Sequence, residues 1–392
     1  MTNTQKIIVF FLIIGIVFFC CLVGISAYTL WQKPLGPSLE LPTSTYAPLA
    51  TLPPTWTPFA EQNPPPAYPA TGTPVPTATA PPTPASALCG GPDSMIILAI
   101  GSSQHVDSYL YGLADVIRLV RVDFVQPSVM IMSLPRDLYV EIPDISDHYG
   151  TTHGKLNQPY FYGNPGMGYY DGPGEGPGLM ARTLAHNFGA QPDRYIAVNM
   201  AVFTKIVNAV DGITVDLPQA VDARYAANPE NRRNVVFPSG INYLNGDQAL
   251  LLARLRPISV FERVKTQNKV LCGLYDKLTS PSVVGDIPGI INAFKDNVQT
   301  DLSPEEISQL SCLGTQLKGS DIIFLNWDED IFTMARQYDT TGAQLGEGSF
   351  IWNVDFALMR EYIAAFERGE WLGDTSTAPA APVDYPNKSF CD

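Results

Sequence analysis

Residues 115–137, DVIRLVRVDFVQPSVMIMSLPRD, contain two apolar runs with so little chain between them that they read as the strands of a β-hairpin, 115–122 and 128–134. Upstream, Met95-Ile96-Ile97-Leu98-Ala99-Ile100 is short, uniformly apolar and ends at Gly101, the pattern of a buried strand running into a loop. Downstream, residues 179–188 read as a helix that stops at Gly189, 195–198 as a strand, 201–210 as a helix ended by Asp211-Gly212, and 213–217 as a strand. Helical patterns continue over 246–255, 264–278, 284–298 and 304–317, and the tail adds a strand at 321–327 and a helix at 354–366. This alternation predicts an α/β fold in which helices cover the faces of a sheet. Residues 163–178, rich in Gly and Pro, are too polar and broken for regular structure and read as a lid or binding loop.

Ahead of this region stand two segments of different character. Residues 7–30 (IIVFFLIIGIVFFCCLVGISAYTL) carry no charge and are long enough to cross a bilayer core of about 30 Å as a helix. A cleaved signal peptide is the rival reading, but the apolar run exceeds the ~7–15 residues of such a segment and no A-x-A site follows. Residues 34–88 hold 16 of the chain's 35 prolines and so cannot form a packed core. They are expected to act as a semi-stiff spacer, on the order of 150 Å when extended at ~3.1 Å per residue.

The formal charge of −14 argues against binding nucleic acid or an anionic surface through the net field. Any phosphate ligand therefore needs a local basic cluster. Cys20 and Cys21 lie in the apolar segment, which leaves Cys89, Cys272, Cys312 and Cys391. An even number in an exported domain predicts disulfides, and three pairings are open. We expect Cys272 with Cys312 and Cys89 with Cys391, the latter tying the start of the domain to its C-terminus. No Cys/His spacing suits zinc, and neither a nucleotide-binding phosphate loop nor a G-x-S-x-G elbow is present.

Four clusters combine charge with the ends of elements: Ser133-Leu134-Pro135-Arg136-Asp137 after a strand, Lys155-Leu156-Asn157 before the glycine-rich stretch, Arg254-x-Arg256 at a helix end, and Arg263-x-x-x-Gln267 one helical turn apart. A guanidinium is permanently charged, and its fork of donors fits phosphate oxygens. Several converging on one place would bind a pyrophosphate.

Taken in order, these motifs resemble the LytR-CpsA-Psr (LCP) family of cell-wall glycopolymer transferases. The resemblance runs over about residues 97–267: the first strand ending in Gly, an Asp opening the second, SLPRD, KLN, the glycine loop, NMAVFTKIVNAVDGITVDLP, FPSGINYLNGDQALLLARLR and the R-x-x-x-Q helix. It implies a three-layer α/β/α domain with a central mixed sheet, behind one transmembrane helix and a Pro-rich linker. An apolar cleft would hold a polyprenyl chain. Arg136, Arg254, Arg256, Arg263 and Gln267 would bind its pyrophosphate, with Lys155 assisting, and Asp115 would be a ligand of Mg2+. Arg136, Asp137, Arg254 and Arg256 are the catalytic candidates, Asp137 either orienting Arg136 or acting as a general base. The implied layout is a short cytoplasmic N-terminus (1–6), an anchor (7–30), a Pro/Thr-rich linker (31–88), the domain (89–320) and an extension packed on or beside it (321–392). The globular part would lie outside the cell membrane, with a polyprenyl-linked glycan and peptidoglycan as partners.

The sequence also departs from the family pattern. Where G-x-D-x-R is usual, the positions are Gly101, Ser103 and His105, so the second carboxylate ligand of a metal is replaced by Ser103. Leu113 stands where an Arg is usual two residues before Asp115. Asp107, or Ser103 with extra water, is available to compensate at the metal, and Glu262 stands in for the acidic residue usual shortly before the R-x-x-x-Q helix. A hard divalent ion needs oxygen ligands, so two hypotheses follow: a magnesium-assisted phosphotransferase, or a binding protein on the same scaffold with weakened catalysis.

Overall fold

A computed structural model describes residues 28–41, 86–105, 108–147, 150–225, 235–255, 260–280, 297–337, 349–371 and 388–391. The strands are β1 Ser94–Ser102, β2 Ala114–Asp123, β3 Ser128–Ser133, β4 Tyr139–Glu141, β5 His153–Lys155, β6 Arg194–Asn199, β7 Ile213–Leu217, β8 Val221–Asp222, β9 Val236–Phe237, β10 Gly240–Leu244, β11 Gln299–Thr300, β12 Ile322–Leu325, β13 Phe332–Gln337, β14 Ser349–Val354 and β15 Lys388–Phe390. The helices that matter below are α1 Gln158–Gly163, α2 Glu175–Phe188, α3 Met200–Ala209, α4 Gly246–Arg254, α5 Val260–Thr279, α6 Pro304–Gly314 and α7 Phe356–Glu367.

The fold is mixed α/β around a sheet ordered β11-β6-β1-β2-β3-β12-β15. β1, β2 and β3 form the expected antiparallel meander, while β6 and β12 join it in parallel on either side. The strand of the C-terminal extension is thus built into the central sheet, because β12 supplies the apolar run Ile322–Leu325 that β3 needs on its open edge.

Strand alternation separates the two faces. Leu98 and Ile100, Ile117 and Leu119, and Met130 and Met132 pack into one core with Met180, Leu184 and Phe188 of α2 and Met359, Ile363 and Phe366 of α7. On the opposite face, Met95, Ile97 and Val122 lie with Leu302 and Leu313, under α6. Beyond α6 that same face is roofed by α3, α4 and α5, whose own core includes Val207, Leu252 and Val270 together with Val215 and Leu244 of the β7/β10 pair. α5 lies hard against β7, since a Cβ on Gly273 would meet the Thr214 carbonyl oxygen at 2.3 Å.

Three expectations need correction. Helix α2 begins at Glu175, inside the stretch read as irregular, and α1 lies just before it. At Gly174, Gly176 and Gly178 the backbone packs so closely on itself and on the end of α1 that a side chain would clash, so the glycines that look like loop signals are packing residues. The disulfides are Cys89–Cys312 and Cys272–Cys391, not Cys272 with Cys312 and Cys89 with Cys391. The 3-10 turn Leu88–Gly90 lies under α6, which brings Cys89 to Cys312, while Cys391 follows the edge strand β15 toward α5. Part of the stretch assigned to the linker belongs to the domain: Leu39 is 3% exposed in the main core, and the Leu35 N–H donates to the Leu302 carbonyl at 3.2 Å. Gly36 makes this close approach possible, since a Cβ there would meet the Thr300 carbonyl oxygen at 2.5 Å. The chain then rejoins the same domain at Leu88, whose N–H donates to Phe124.

Among the described residues no helix is long and apolar enough to cross a membrane. Most of the expected anchor (7–27), most of the Pro/Thr-rich tract (42–85) and the expected helix over 284–296 lie outside the described residues, as do Asp107, His148 and Arg256.

Candidate active site

The face of the sheet left open by α6 ends in a cavity of about 820 Å³ between the sheet and helices α3, α4 and α5. Most of its lining is apolar: Ala99, Gly101, Val116, Ile196 and Val198 from the strands, and Phe203, Ile206, Leu250, Leu251, Val270, Leu271, Leu274 and Leu278 from the helices. Its charged groups are Asp115, Arg118, Arg136, Arg254 and Arg263, and its neutral polar side chains are Gln267, Asn199 and Ser102. An apolar chamber of this size with a few convergent polar groups is the usual form of a small-molecule site.

Arg136 stands just beyond β3, where Leu134-Pro135 ends the strand. Its Nη1 is ion-paired with Asp115 Oδ1, and its Nε donates to Asp137 Oδ2 at 3.4 Å. Asp137 is 5% exposed, and its other oxygen accepts from Lys155 Nζ at 3.0 Å. With both oxygens engaged and the side chain buried, Asp137 holds Arg136 and Lys155 in place. Lys155 does not line the cavity; it sits behind Arg136 with its ammonium 5.9 Å from the Phe350 ring centre. The backbone stiffens this corner. Asn157 N–H donates to the Arg136 carbonyl, Ala114 N–H to the Asn157 carbonyl and Trp352 N–H to the Asp137 carbonyl. The KLN motif therefore braces PRD against the start of β2.

On the helical side, Arg254 is the last residue of α4 and faces the cavity, and Arg263 and Gln267 come from the first turns of α5, 6% and 9% exposed. The structure thus gathers Asp115, Arg136, Arg254, Arg263 and Gln267 on one cavity. It also brings in Arg118, which the motif reading passed over. Arg118 is 3% exposed, its Nη1 donates to Asn268 Oδ1 at 2.7 Å and its Nη2 to Gln267 Oε1 at 3.3 Å. Burial, and then the neighbouring Arg263, push its guanidinium down to about 10, so it stays protonated at neutral pH. The signal was present: a cation in the middle of a strand, between the apolar Ile117 and Leu119.

Among the described residues the cavity offers a magnesium ion few oxygen donors. Among the described residues Asp115 is the one carboxylate lining the cavity, and Arg136 already pairs with it. Ser103, at the position of the expected second ligand, accepts the Leu113 N–H at 2.9 Å and donates its own N–H to the Leu113 carbonyl. Among the described residues no group of three or more His, Cys, Asp or Glu is placed to hold a metal. His105 is exposed.

Residues 83–341 match the LytR_cpsA_psr family model, which covers more than half of the chain. The chain belongs to the LytR_cpsA_psr family. Regulatory protein MsrR of Staphylococcus aureus is 26% identical over 221 residues, 56% of this chain and 59% of that one. The polyisoprenyl-teichoic acid–peptidoglycan teichoic acid transferase TagU of Enterococcus faecalis is 28% identical over 225 residues, 56% of this chain and 65% of that one. The chain thus spans less than two thirds of either relative. The fold is that of LytR_cpsA_psr structures: the crystal structure of B. subtilis TagV superposes with a TM-score of 0.52 at 20% identity, covering 70% of this chain and 98% of that one. The structure of TagT bound to LI-WTA gives 0.51 at 22% identity, with 70% and 90% covered.

Proposed function

We propose that this protein moves a glycopolymer from a polyprenyl-pyrophosphate carrier to peptidoglycan or a related envelope acceptor. In this reading residues 7–30 anchor it in the cell membrane with the domain outside. The observation that carries the proposal is the joining of an apolar chamber to a cluster of guanidinium groups in a chain whose net charge is −14. A prenyl chain suits the chamber, and a pyrophosphate suits the arginines.

An acceptor hydroxyl would attack the glycan-bearing phosphorus, forming a phosphodiester. The pyrophosphate P–O bond would break, and polyprenyl phosphate would leave with the electron pair. Arg136, Arg254 and Arg263 would stabilise charge growing on the phosphate oxygens. Arg256 belongs to the same set by motif. Asp115, which lines the cavity, would take the hydroxyl proton once the substrate phosphates draw Arg136 away from it. Asp137 and Lys155 position Arg136. Any magnesium would come with the substrate phosphates and use at most Asp115 from the described residues.

A second reading is favoured by one observation. With Ser103 committed to Leu113 and Asp115 paired to Arg136, the site is poor in free oxygen ligands. This would suit a protein that binds polyprenyl phosphate or wall glycan with weakened catalysis. The deciding experiment is turnover of a lipid-linked pyrophosphate glycan by the full-length protein in detergent, with and without magnesium, beside R254A. Release of polyprenyl phosphate that R254A abolishes supports the transferase. Saturable binding of the lipid without release supports the second reading, and no binding at all refutes both.

A further inference from the structure

We propose that Arg118 is an anion-binding residue of the cavity, contacting the phosphate nearest the prenyl chain, and that Gln267 and Asn268 are the bracket that aims it. The inference rests on the reading of the cavity as a prenyl-pyrophosphate site. It adds a residue that no motif marks and changes the role of Gln267.

Arg118 lies in the middle of the sheet, across from Ala99 on β1 and Ser133 on β3. Both neighbours are small, which opens a lane along the sheet face for a long side chain to reach α5. There its two terminal nitrogens meet neutral amide oxygens of Asn268 and Gln267. Nε has no partner, and among the described residues no carboxylate pairs with this side chain. A second buried guanidinium, Arg263, lies near enough to repel it. The cavity's carboxylate, Asp115, is taken by Arg136.

Burying a cation without a counter-ion costs stability, and a like charge beside it adds to the cost. An apolar side chain in the same lane would avoid both. Among the described residues Arg118 has no internal anion, and an external one completes its environment. Two of the guanidinium N–H bonds are used and Nε is enclosed by protein, which leaves the second hydrogen of each terminal nitrogen for phosphate oxygens. Arg118 is three residues further along β2 than Asp115 and borders the apolar chamber at Val116 and Ala99, so its anion is the one attached to the chain inside the chamber. That phosphate is the leaving group of the proposed reaction.

Gln267 is consumed at both ends. Its Oε1 accepts from Arg118, and its Nε2 donates to the Ala253 carbonyl at 3.1 Å, beside Arg254. It is therefore a positioning residue that ties Arg118 to the end of α4.

The test is titration calorimetry of the full-length protein in detergent with farnesyl pyrophosphate, farnesyl monophosphate and farnesol, on wild type, R118M, R118K and R254A, with thermal midpoints alongside. For R118M we expect affinity for both phosphates to fall by about 10- to 100-fold, the worth of a charge-assisted hydrogen bond, with farnesol unchanged. Its thermal midpoint should stay level or rise, since an uncompensated charge has been removed. A clear drop in midpoint with unchanged phosphate affinity assigns Arg118 a structural role and overturns the proposal. Should R118M not fold, R118K decides, because lysine keeps the charge but cannot hold both amides: weakened monophosphate binding at an unchanged midpoint supports the proposal, and unchanged binding overturns it. Loss of binding in R254A but not in the Arg118 variants overturns this inference alone, and a wild type that binds neither phosphate overturns the underlying reading as well.

Discussion

Replacing Leu39 by Ala should destabilise a domain that begins, by motif, some fifty residues later. Leu39 is 3% exposed and belongs to the core formed by β1, β2 and α2. Burying a leucine side chain contributes about 1.5–3 kcal/mol, and the cavity left by Leu→Ala brings typical losses to about 2–5 kcal/mol. A ceiling applies here, because residues 35–41 can peel away as a unit and the loss cannot exceed their own docking energy. That docking is modest: each ordered residue costs about 1–2 kcal/mol of backbone entropy, set against Leu39, the partly buried Leu41 and the Leu35–Leu302 hydrogen bond. We therefore expect about 1–3 kcal/mol, or a fall in Tm of about 3–10 °C for a domain of this size. The assay is thermal unfolding of full-length L39A against wild type, with amide hydrogen exchange over residues 34–41. Wild-type amides there that exchange like free peptide, together with an unchanged Tm in L39A, would refute the docking.

Three further outcomes are expected. Non-reducing peptide mapping should recover Cys89 linked to Cys312 and Cys272 linked to Cys391, and removing either pair should cost about 2–5 kcal/mol in urea denaturation, since the bridges close loops of 223 and 119 residues. Burial raises the Asp301 carboxyl from 3.8 to about 6, although it accepts the Tyr195 N–H. The folded state thus holds this proton more tightly than the unfolded one, so its contribution is fully present below pH 4 and is lost as pH rises through 6. Relative to D301N, wild type should lose roughly 2 kcal/mol between pH 4 and pH 7, as read by urea titrations at both pH values; a constant difference would contradict this. D137N should cut turnover by about 100-fold through loss of the Arg136 and Lys155 anchor, with a smaller effect on lipid binding. An equal loss in both, measured as kcat against Kd, would place Asp137 on the ligand instead.

Much of the central sheet was legible because it is written in local period. The three strands of the meander are apolar runs of strand length, and the hairpin between the second and third follows from the short stretch joining them. The arginines at the ends of elements were legible as a set because a guanidinium in an acidic chain stands out, and the cavity gathers Arg136, Arg254 and Arg263 as the motifs imply. The helix from Glu175 was hidden by its own glycines, which serve packing rather than a loop.

The sequence by itself determined which segments are apolar, with what period, and which charges stand at their ends, since these depend on neighbours within a few residues. Only the tertiary structure decided the partners. Four cysteines allow three pairings, and the choice rests on which helix covers the Leu88–Gly90 turn. The strand at Ile322–Leu325 became part of the sheet because β3 had an open edge for it. Arg118 has the same identity in any fold. What makes it a buried cation facing a cavity is the small pair Ala99 and Ser133 beside it and the amides of α5 above it, residues brought together from up to 150 positions away.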